Sequence, residues 1–237
     1  MKILSVDSSA IIASVALAED EKLLAEYSIN NGNTHSETLL PMVESLLASF
    51  GVTVDDVDLF ACSSGPGSFT GVRIGAATVK GLAFGKNKPC VCVSTLEAIA
   101  ESVAVHNGLI CPVMNARRSQ VYTALFRSDG KKLVRLMPDS AMSIEELDKI
   151  LSAYGEPVLF SGDGYDITLK ELKATKALHT PERLRHQSAF SVATVALRQY
   201  KAGSFGTDSE LAVTYLRPSQ AERERNQRLA AEGAENK

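Results

Sequence analysis

The sequence lacks several features that define large classes of protein. It has no uncharged apolar run of about 18 residues, the length that a membrane-spanning helix requires. Its apolar N-terminal stretch, MKILSVDSSAIIASVAL, is interrupted by Asp7 and serines and lacks a small-residue cleavage site, which argues against a signal peptide. We therefore expect a cytoplasmic protein that does not enter a membrane.

The chain also lacks an excess of basic residues. Lysine and arginine number 25 against 28 aspartates and glutamates, and the formal net charge is −3. A protein that binds nucleic acid over a broad surface usually carries a strongly positive face. The overall composition therefore does not indicate direct binding to nucleic acid.

Residue spacings typical of metal and catalytic sites are missing as well. The four cysteines include no C-x-x-C pair, and the four histidines include no pair spaced i, i+4. The serines that follow predicted strands have no visible histidine and aspartate partners to activate them. We therefore predict no catalytic residue and no metal ligand. Because every cysteine falls in a predicted strand, we expect buried reduced thiols at Cys62, Cys90, Cys92 and Cys111.

The strongest local signal is the segment 65–75, which reads GPGSFTGVRIG and joins a strand pattern to a helix pattern. Backbone N–H groups at a helix N-terminus can bind an anion, but the segment does not end in the Gly-Lys-Ser/Thr of a Walker A loop. Its later glycines, Gly71 and Gly75, lie beyond the reach of a phosphate bound at the turn. They favour a helix face that packs closely against a partner.

A nucleotide site is one hypothesis for this segment, with ATP or ADP as the ligand. Asp7 ends the first predicted strand, at a sheet edge that often carries chemistry. The alternative is that Asp7 caps a turn and that residues 162–164 form an ordinary turn. We expect that no cofactor is required. The candidate contacts to a nucleotide or phosphate are Asp7, Gly65, Gly67, Ser68, Gly162 and Gly164.

The order of predicted elements repeats once along the chain. Residues 1–105 read as three strands followed by alternating helices and strands, and residues 106–218 begin again with strands and then alternate. This order is typical of a ribonuclease-H-like α/β unit, in which helices flank a mixed sheet. We therefore predict two such lobes, followed by a flexible charged tail over 219–237.

Two predicted helices of the first half have more apolar surface than one packing face needs. The first starts at Thr34, where Thr34 and Glu37 match a capping box, and the second covers residues 70–85. Either the helices cover each other and the sheet, or they form an interface with another subunit. The candidate interface residues are Leu39, Leu40, Val43, Leu46, Ile74, Ala77, Gly81 and Phe84.

One basic motif, Asn115-Ala116-Arg117-Arg118, follows the first predicted strand of the second half. Arg117 and Arg118 can bind the phosphates of RNA, and they can equally pair with carboxylates at the boundary between the lobes. Both interpretations stay open at this point.

Five segments give the chain a resemblance to the bacterial TsaB (YeaZ) family. They cover residues 3–9, 34–41, 65–75, 112–118 and 215–218, in the order that the family has. The resemblance extends over nearly the whole chain apart from the tail. The chain departs from the family pattern at Asn115, where the family usually has aspartate.

The resemblance implies the fold of the actin, Hsp70 and sugar-kinase superfamily and a role in tRNA threonylcarbamoyladenosine synthesis. It implies a non-catalytic scaffold subunit that binds a TsaD-like catalytic subunit through first-lobe helices and forms a homodimer when alone. A TsaE-like ATPase joins the complex in the family, and tRNA is met through that complex. TsaD-like proteins carry an H-x-x-x-H pair on a first-lobe helix, and here Thr95 and Ile99 occupy the matching positions. The competing hypothesis is an ATPase or protease-like enzyme of the same superfamily.

Overall fold

The computed structural model describes residues 1–217, and it contains two five-stranded mixed sheets flanked by helices. The predicted tail, 219–237, lies outside the described residues. Among the residues described, no helix is long and apolar enough to cross a membrane.

The first sheet is built from the first half of the chain in the strand order β3-β2-β1-β4-β5. β1 pairs antiparallel with β2 and parallel with β4, so the hairpin lies on one side of β1 and the helical crossovers lead to the other. The elements are β1 (Lys2–Asp7), β2 (Ala13–Glu19), β3 (Lys22–Ile29), α1 (His35–Ala48), β4 (Leu59–Ser63), α2 (Phe69–Ala83), β5 (Cys90–Val93) and α3 (Thr95–Glu101).

The second sheet repeats this topology in the order β10-β9-β6-β7-β8, with its first strand, β6, again in the centre. The elements are β6 (Asn107–Asn115), β7 (Gln120–Asp129), β8 (Leu133–Ser143), α4 (Ile144–Ser152), β9 (Val158–Ser161), α5 (Tyr165–Glu171), β10 (Ala177–Leu178) and α6 (Ala189–Lys201). The predicted pair of ribonuclease-H-like lobes is therefore confirmed. The sequence reasoning did not identify α5 and β10, which are short.

Each face of the first sheet is covered by two helices. α1 and α2 pack on one face in a core that includes Leu4, Val15 and Phe60, whereas α6 and Ala98 of α3 pack on the other face. α3 also reaches the second sheet, because Leu96 and Ile99 lie in a cluster with Phe126. One short helix thus contributes to the cores of both lobes.

The last helix, α6, returns to the first lobe. Its buried residues, such as Val192 and Ala196, share a core with the first sheet. Further on, Cys90 and Gly206 exchange backbone hydrogen bonds of 2.8 and 2.9 Å. The sequence pattern assigns all of 106–218 to the second lobe. α6 instead packs on the first sheet, because that sheet has a second apolar face that α3 alone does not cover. Leu211, after α6, belongs to the core on the other face of the same sheet.

The helix caps differ in how they are made. Ser94 and Ser143 accept hydrogen bonds from backbone N–H groups three residues later, as their spacing predicts. The predicted capping box at Thr34 does not form, because the Thr34 hydroxyl pairs with that of Ser36 at 3.1 Å. α1 still begins at His35, so tertiary packing rather than this cap stabilises its first turn.

Candidate functional site

A cleft of about 600 Å³ lies between the lobes at the carboxyl ends of their central strands. Ser9 and the loop before α2 form the first-lobe wall, and Asn115, Arg117 and Asp163 form the second-lobe wall. Residues 214–217 line it as well. Two predicted loops, one from each lobe, therefore meet here, at the position where α/β sheets commonly bind ligands.

Asp7 is fully buried at the end of β1, two residues before Ser9 of the cleft wall. Its Oδ1 atom accepts hydrogen bonds from the backbone N–H and the hydroxyl of Ser9, at 2.9 and 2.6 Å. Its Oδ2 atom has no partner among the described residues. Burial raises the pKa of the Asp7 carboxyl above its ordinary value of 3.8, despite the hydrogen bonds from Ser9. Asp7 thus accepts hydrogen bonds within the turn after β1, and burial disfavours ionisation of its carboxyl group.

Replacement of Asp7 by asparagine is therefore expected to stabilise the fold at neutral pH. Between pH 3.8 and the higher pKa of the folded state, Asp7 is protonated in the folded chain and ionised in the unfolded chain. The contribution of Asp7 to the free energy of unfolding therefore falls as pH rises through this range. Asparagine does not titrate. The gain in free energy of unfolding should be present at pH 7 and shrink as pH falls towards 4, as measured by urea denaturation at each pH.

Asp148→Asn provides the matched control. Burial opposes ionisation of Asp148, but hydrogen bonds from Thr175, Lys173 and Ala174 outweigh it and lower its pKa. That variant should lose stability at neutral pH, with the loss fading as pH falls through and below 3.8. Asp7→Asn that destabilises the chain at pH 7 as Asp148→Asn does would contradict the interpretation of Asp7.

The candidate phosphate loop of the first lobe packs against other backbone segments of the same chain. The Ser68 N–H donates to the Ser9 carbonyl at 2.6 Å, and the Ser68 hydroxyl caps α2 by accepting from the Gly71 N–H. A Cβ atom at Gly67 would lie 2.3 Å from the Ser9 oxygen, and one at Gly65 would lie 2.5 Å from the Thr214 oxygen. Both glycines are thus required by close backbone packing.

The glycines of the second-lobe loop also pack closely against neighbouring backbone. A Cβ atom at Gly162 would lie 2.1 Å from the Val113 oxygen, and one at Gly164 would lie 3.0 Å from the Met114 carbonyl carbon. The Gly164 N–H donates to the Val113 carbonyl at 3.0 Å. All four glycines therefore have a structural role against neighbouring backbone, and their presence no longer indicates a nucleotide cradle.

Four contacts at or beside the cleft were not identified as site features from the sequence. Asp163 accepts from the Asn115 N–H at 3.2 Å, and burial raises its pKa. Tyr215 stacks on Phe69 with ring centroids 4.6 Å apart and accepts a 2.6 Å hydrogen bond from Arg73. Arg217 donates to the Ala116 carbonyl at 3.0 Å. The family-like segment 215–218 was the available signal for the last three: Tyr215 and Arg217 connect this part of the chain to α2 and to the second lobe.

The basic motif forms the tip of the turn between β6 and β7. Arg117 and Arg118 are exposed, and these residues and Ser119 have positive φ angles of 64°, 56° and 53°. The Arg117 N–H donates to the Asn115 side chain at 2.8 Å, which supports this turn. Within residues 1–217 neither arginine forms an ion pair with a carboxylate, so the proposed pairing at the lobe boundary is not formed.

The positions that match the H-x-x-x-H pair are core positions here. Thr95 is fully buried, and Ile99 is buried between α3 and the second sheet. No group of three histidine, cysteine, aspartate or glutamate residues suited to a metal ion occurs in the described part of the chain.

The eight candidate interface residues comprise three buried residues, one partly buried residue and four exposed residues. Leu39, Val43 and Leu46 are at most 1% exposed and pack on the first sheet, so their prediction as interface residues is wrong. They lie on the inner side of α1, which sequence periodicity cannot distinguish from an apolar outer side. Ile74 is partly buried against the same core. The exposed set, here called the α1–α2 surface, is Leu40, Ala77, Gly81 and Phe84.

Two lobes of one topology with a cleft between them define a protein of the actin, Hsp70 and sugar-kinase type. The family model described as TsaD: tRNA N6-adenosine threonylcarbamoyltransferase matches residues 22–222. The solved structure of YeaZ from Pseudomonas aeruginosa superposes with a TM-score of 0.79 at 26% identity, over 91% of this chain and 99% of that chain.

Two relatives carry the name tRNA threonylcarbamoyladenosine biosynthesis protein TsaB. The Bacillus subtilis (strain 168) protein is 36% identical over 162 residues, which cover 68% of this chain and 71% of that protein. The Escherichia coli (strain K12) protein is 37% identical over 131 residues, 54% of this chain and 56% of that protein. The chain therefore belongs to the TsaB (YeaZ) family, and the TsaD family model also matches it. The resemblance inferred from its motifs is confirmed.

Proposed function

We propose that this chain is a non-catalytic scaffold subunit in tRNA threonylcarbamoyladenosine synthesis, and that it binds a TsaD-like catalytic subunit through the α1–α2 surface. The names of the B. subtilis and E. coli relatives support the pathway. The observation that carries the binding surface is the exposed apolar face of two adjacent helices, α1 and α2.

This surface has the composition of an interaction site. Phe84 is 77% exposed and Leu40 is 46% exposed, although both are large and apolar. A Cβ atom added at Gly81 would have no neighbouring atom within 4 Å, and Ala77 is exposed, so another helix can approach α2 closely between them. Exposed apolar patches of this kind mark association sites. A large side chain beside small ones provides an anchor and a shallow groove.

The catalytic role falls to the partner in this proposal. Thr95 and Ile99 cannot replace an imidazole pair as ligands of a first-row metal, since one is a hydroxyl and the other is apolar. The buried packing of Ile99 makes this position part of the structural core. We propose that the subunit needs no nucleotide of its own, because the glycines of both loops are used for backbone packing.

The remaining partners follow from the same role. We propose that the α1–α2 surface forms a homodimer when no TsaD-like subunit is present, and that a TsaE-like ATPase joins the complex in the cytoplasm. The exposed turn with Arg117 and Arg118 is the segment best suited to contact tRNA within that complex, because guanidinium groups bind phosphates in a bidentate manner.

Ala77→Glu is expected to abolish binding to the TsaD-like subunit and self-association while leaving the fold intact. A carboxylate forced into an apolar helix contact lacks a partner and costs several kcal/mol, which corresponds to about a 100-fold or greater loss of affinity. Calorimetric titration with the purified TsaD-like subunit and size-exclusion chromatography measure both effects.

Ala153→Glu provides the control, because Ala153 is also an exposed alanine but follows α4 in the second lobe. Its affinity should match that of the unaltered chain. If Ala77→Glu binds the partner with unchanged affinity and keeps its oligomeric state, the α1–α2 surface is not the binding site.

A further inference from the structure

Two cysteines of the first lobe lie side by side on neighbouring strands. Cys62 of β4 and Cys92 of β5 are direct partners in the parallel register, and both side chains lie on the face covered by α2. Paired residues on adjacent strands are separated by about 4.8 Å. That separation falls within the range of Cα distances that a disulfide can bridge.

Only one member of this pair is accessible from outside. Cys62 is fully buried, whereas Cys92 is partly exposed and lines a surface cavity of about 280 Å³ between β5 and the residues after α6. A small oxidant can enter through this cavity and meet the Cys92 sulfur. The Cys62 side chain is fully buried and does not line this cavity.

The thiols also differ in their readiness to ionise. The neighbouring Cys62 thiol lowers the pKa of Cys92, against the burial that raises it. Burial raises the pKa of Cys90 to about 11 and that of Cys111 to about 12. The thiolate is the reactive form of cysteine, so Cys92 is the group that reacts first at neutral pH.

We propose that Cys92 and Cys62 form a reversible peroxide-driven disulfide. The Cys92 thiolate attacks the O–O bond of hydrogen peroxide, giving a sulfenic acid on Cys92 and releasing hydroxide. The Cys62 sulfur then attacks the sulfenic sulfur. The S–S bond forms, the S–O bond breaks, and the thiol proton leaves with the hydroxyl group as water. The two thiols are oxidised together and one peroxide is reduced, and a dithiol reverses the bond by exchange.

Cys90 is the competing resolving residue, and its position disfavours it. It lies two residues before Cys92 on the same strand, so the two Cα atoms are separated by about 6.6 Å, near the upper limit for a disulfide. Bridging them would also bend the strand. Cys62 is the direct register partner of Cys92 on the neighbouring strand.

The test treats the reduced full-length chain with hydrogen peroxide and follows free thiols, intact mass and proteolytic peptides. The four free cysteines should fall to two, with a mass loss of two hydrogens and a linked peptide pair that contains Cys62 and Cys92. Dithiothreitol should restore all four thiols.

Single cysteine-to-serine variants test the role of each thiol in the reaction. Cys92→Ser should lose the reaction, Cys62→Ser should accumulate oxygen atoms on Cys92, and the control Cys111→Ser should still lose two thiols. A Cys90–Cys92 link, a link between two chains, oxygen addition to Cys92 in the unaltered chain, or disulfide formation in Cys92→Ser would each overturn the proposal. Peptide mapping of the unaltered chain keeps the test valid if a variant fails to fold.

Discussion

Replacement of Gly71 by alanine is expected to destabilise the chain by about 3 kcal/mol, at the upper end of overpacking costs. A Cβ atom at this position would lie 2.1 Å from the Ser8 carbonyl oxygen, which belongs to the backbone and cannot rotate away. The Ser8 hydroxyl also donates to the Gly71 carbonyl at 2.9 Å, so the turn after β1 is held against α2. Relieving the overlap must separate these two elements. Urea denaturation monitored by circular dichroism measures the loss.

Gly81→Ala, in the same helix, should have the opposite sign. No atom lies within 4 Å of a Cβ atom at Gly81, and the residue is exposed. Alanine there restricts the unfolded chain and favours the helix by about 1 kcal/mol. Equal effects at the two positions would show that helix propensity, rather than contact with Ser8, governs both.

The contacts of these glycines also change the interpretation of the segment 65–75. The sequence reasoning assigns Gly71 and Gly75 to a helix face packed against a partner. In the structure their neighbour is Ser8 of the same chain, since a Cβ atom at Gly75 would lie 2.6 Å from the Ser8 hydroxyl. The close packing was predicted correctly, but its partner was not. Only Gly81, outside the segment, lies on the α1–α2 surface.

Leu46→Ala is expected to lower the free energy of unfolding by about 2–5 kcal/mol, because it removes a buried side chain and leaves a cavity. Leu46 is 0% exposed and lies in the core between α1 and the first sheet. The midpoint of urea denaturation should fall while its slope stays unchanged, since the surface exposed on unfolding is nearly the same.

Leu40→Ala is the matched substitution on the same helix. Leu40 is 46% exposed, so its stability change should stay within about 0.5–1 kcal/mol. Its affinity for the TsaD-like subunit should fall, whereas folded Leu46→Ala measured well below its melting temperature should bind normally. A large stability loss in Leu40→Ala, or weakened binding in folded Leu46→Ala, would argue against the division of α1 into a core side and an interface side.

Local signals predicted much of the fold. Apolar periodicity and the capping serines at Ser94 and Ser143 identified the helices that they begin, and the order of strands and helices indicated two related lobes. Short elements with weak periodicity, such as α5 and β10, were not identified from these signals. The capping box at Thr34 failed because its hydroxyl had an equally close alternative in Ser36. Nothing in the local pattern ranks those two hydrogen bonds.

The candidate site was predicted less completely. The loops that contain Gly65, Ser68 and Gly162 do meet near one cleft, as expected for the carboxyl ends of central strands. That their glycines pack against Thr214, Ser9 and Val113 could not be inferred. Each of these contacts joins residues far apart in sequence.

Local sequence patterns were enough to establish the two-lobed α/β architecture, the family, and the absence of metal-ligand spacings along the chain, because these depend on periodicity and on the order of motifs. Contacts within the folded chain were needed to show which side of α1 is core, that α6 returns to the first sheet, and that Ser8 occupies the space beside Gly71 and Gly75. Periodicity shows that a helix has an apolar side. What covers that side depends on contacts between distant segments, which the fold alone brings together.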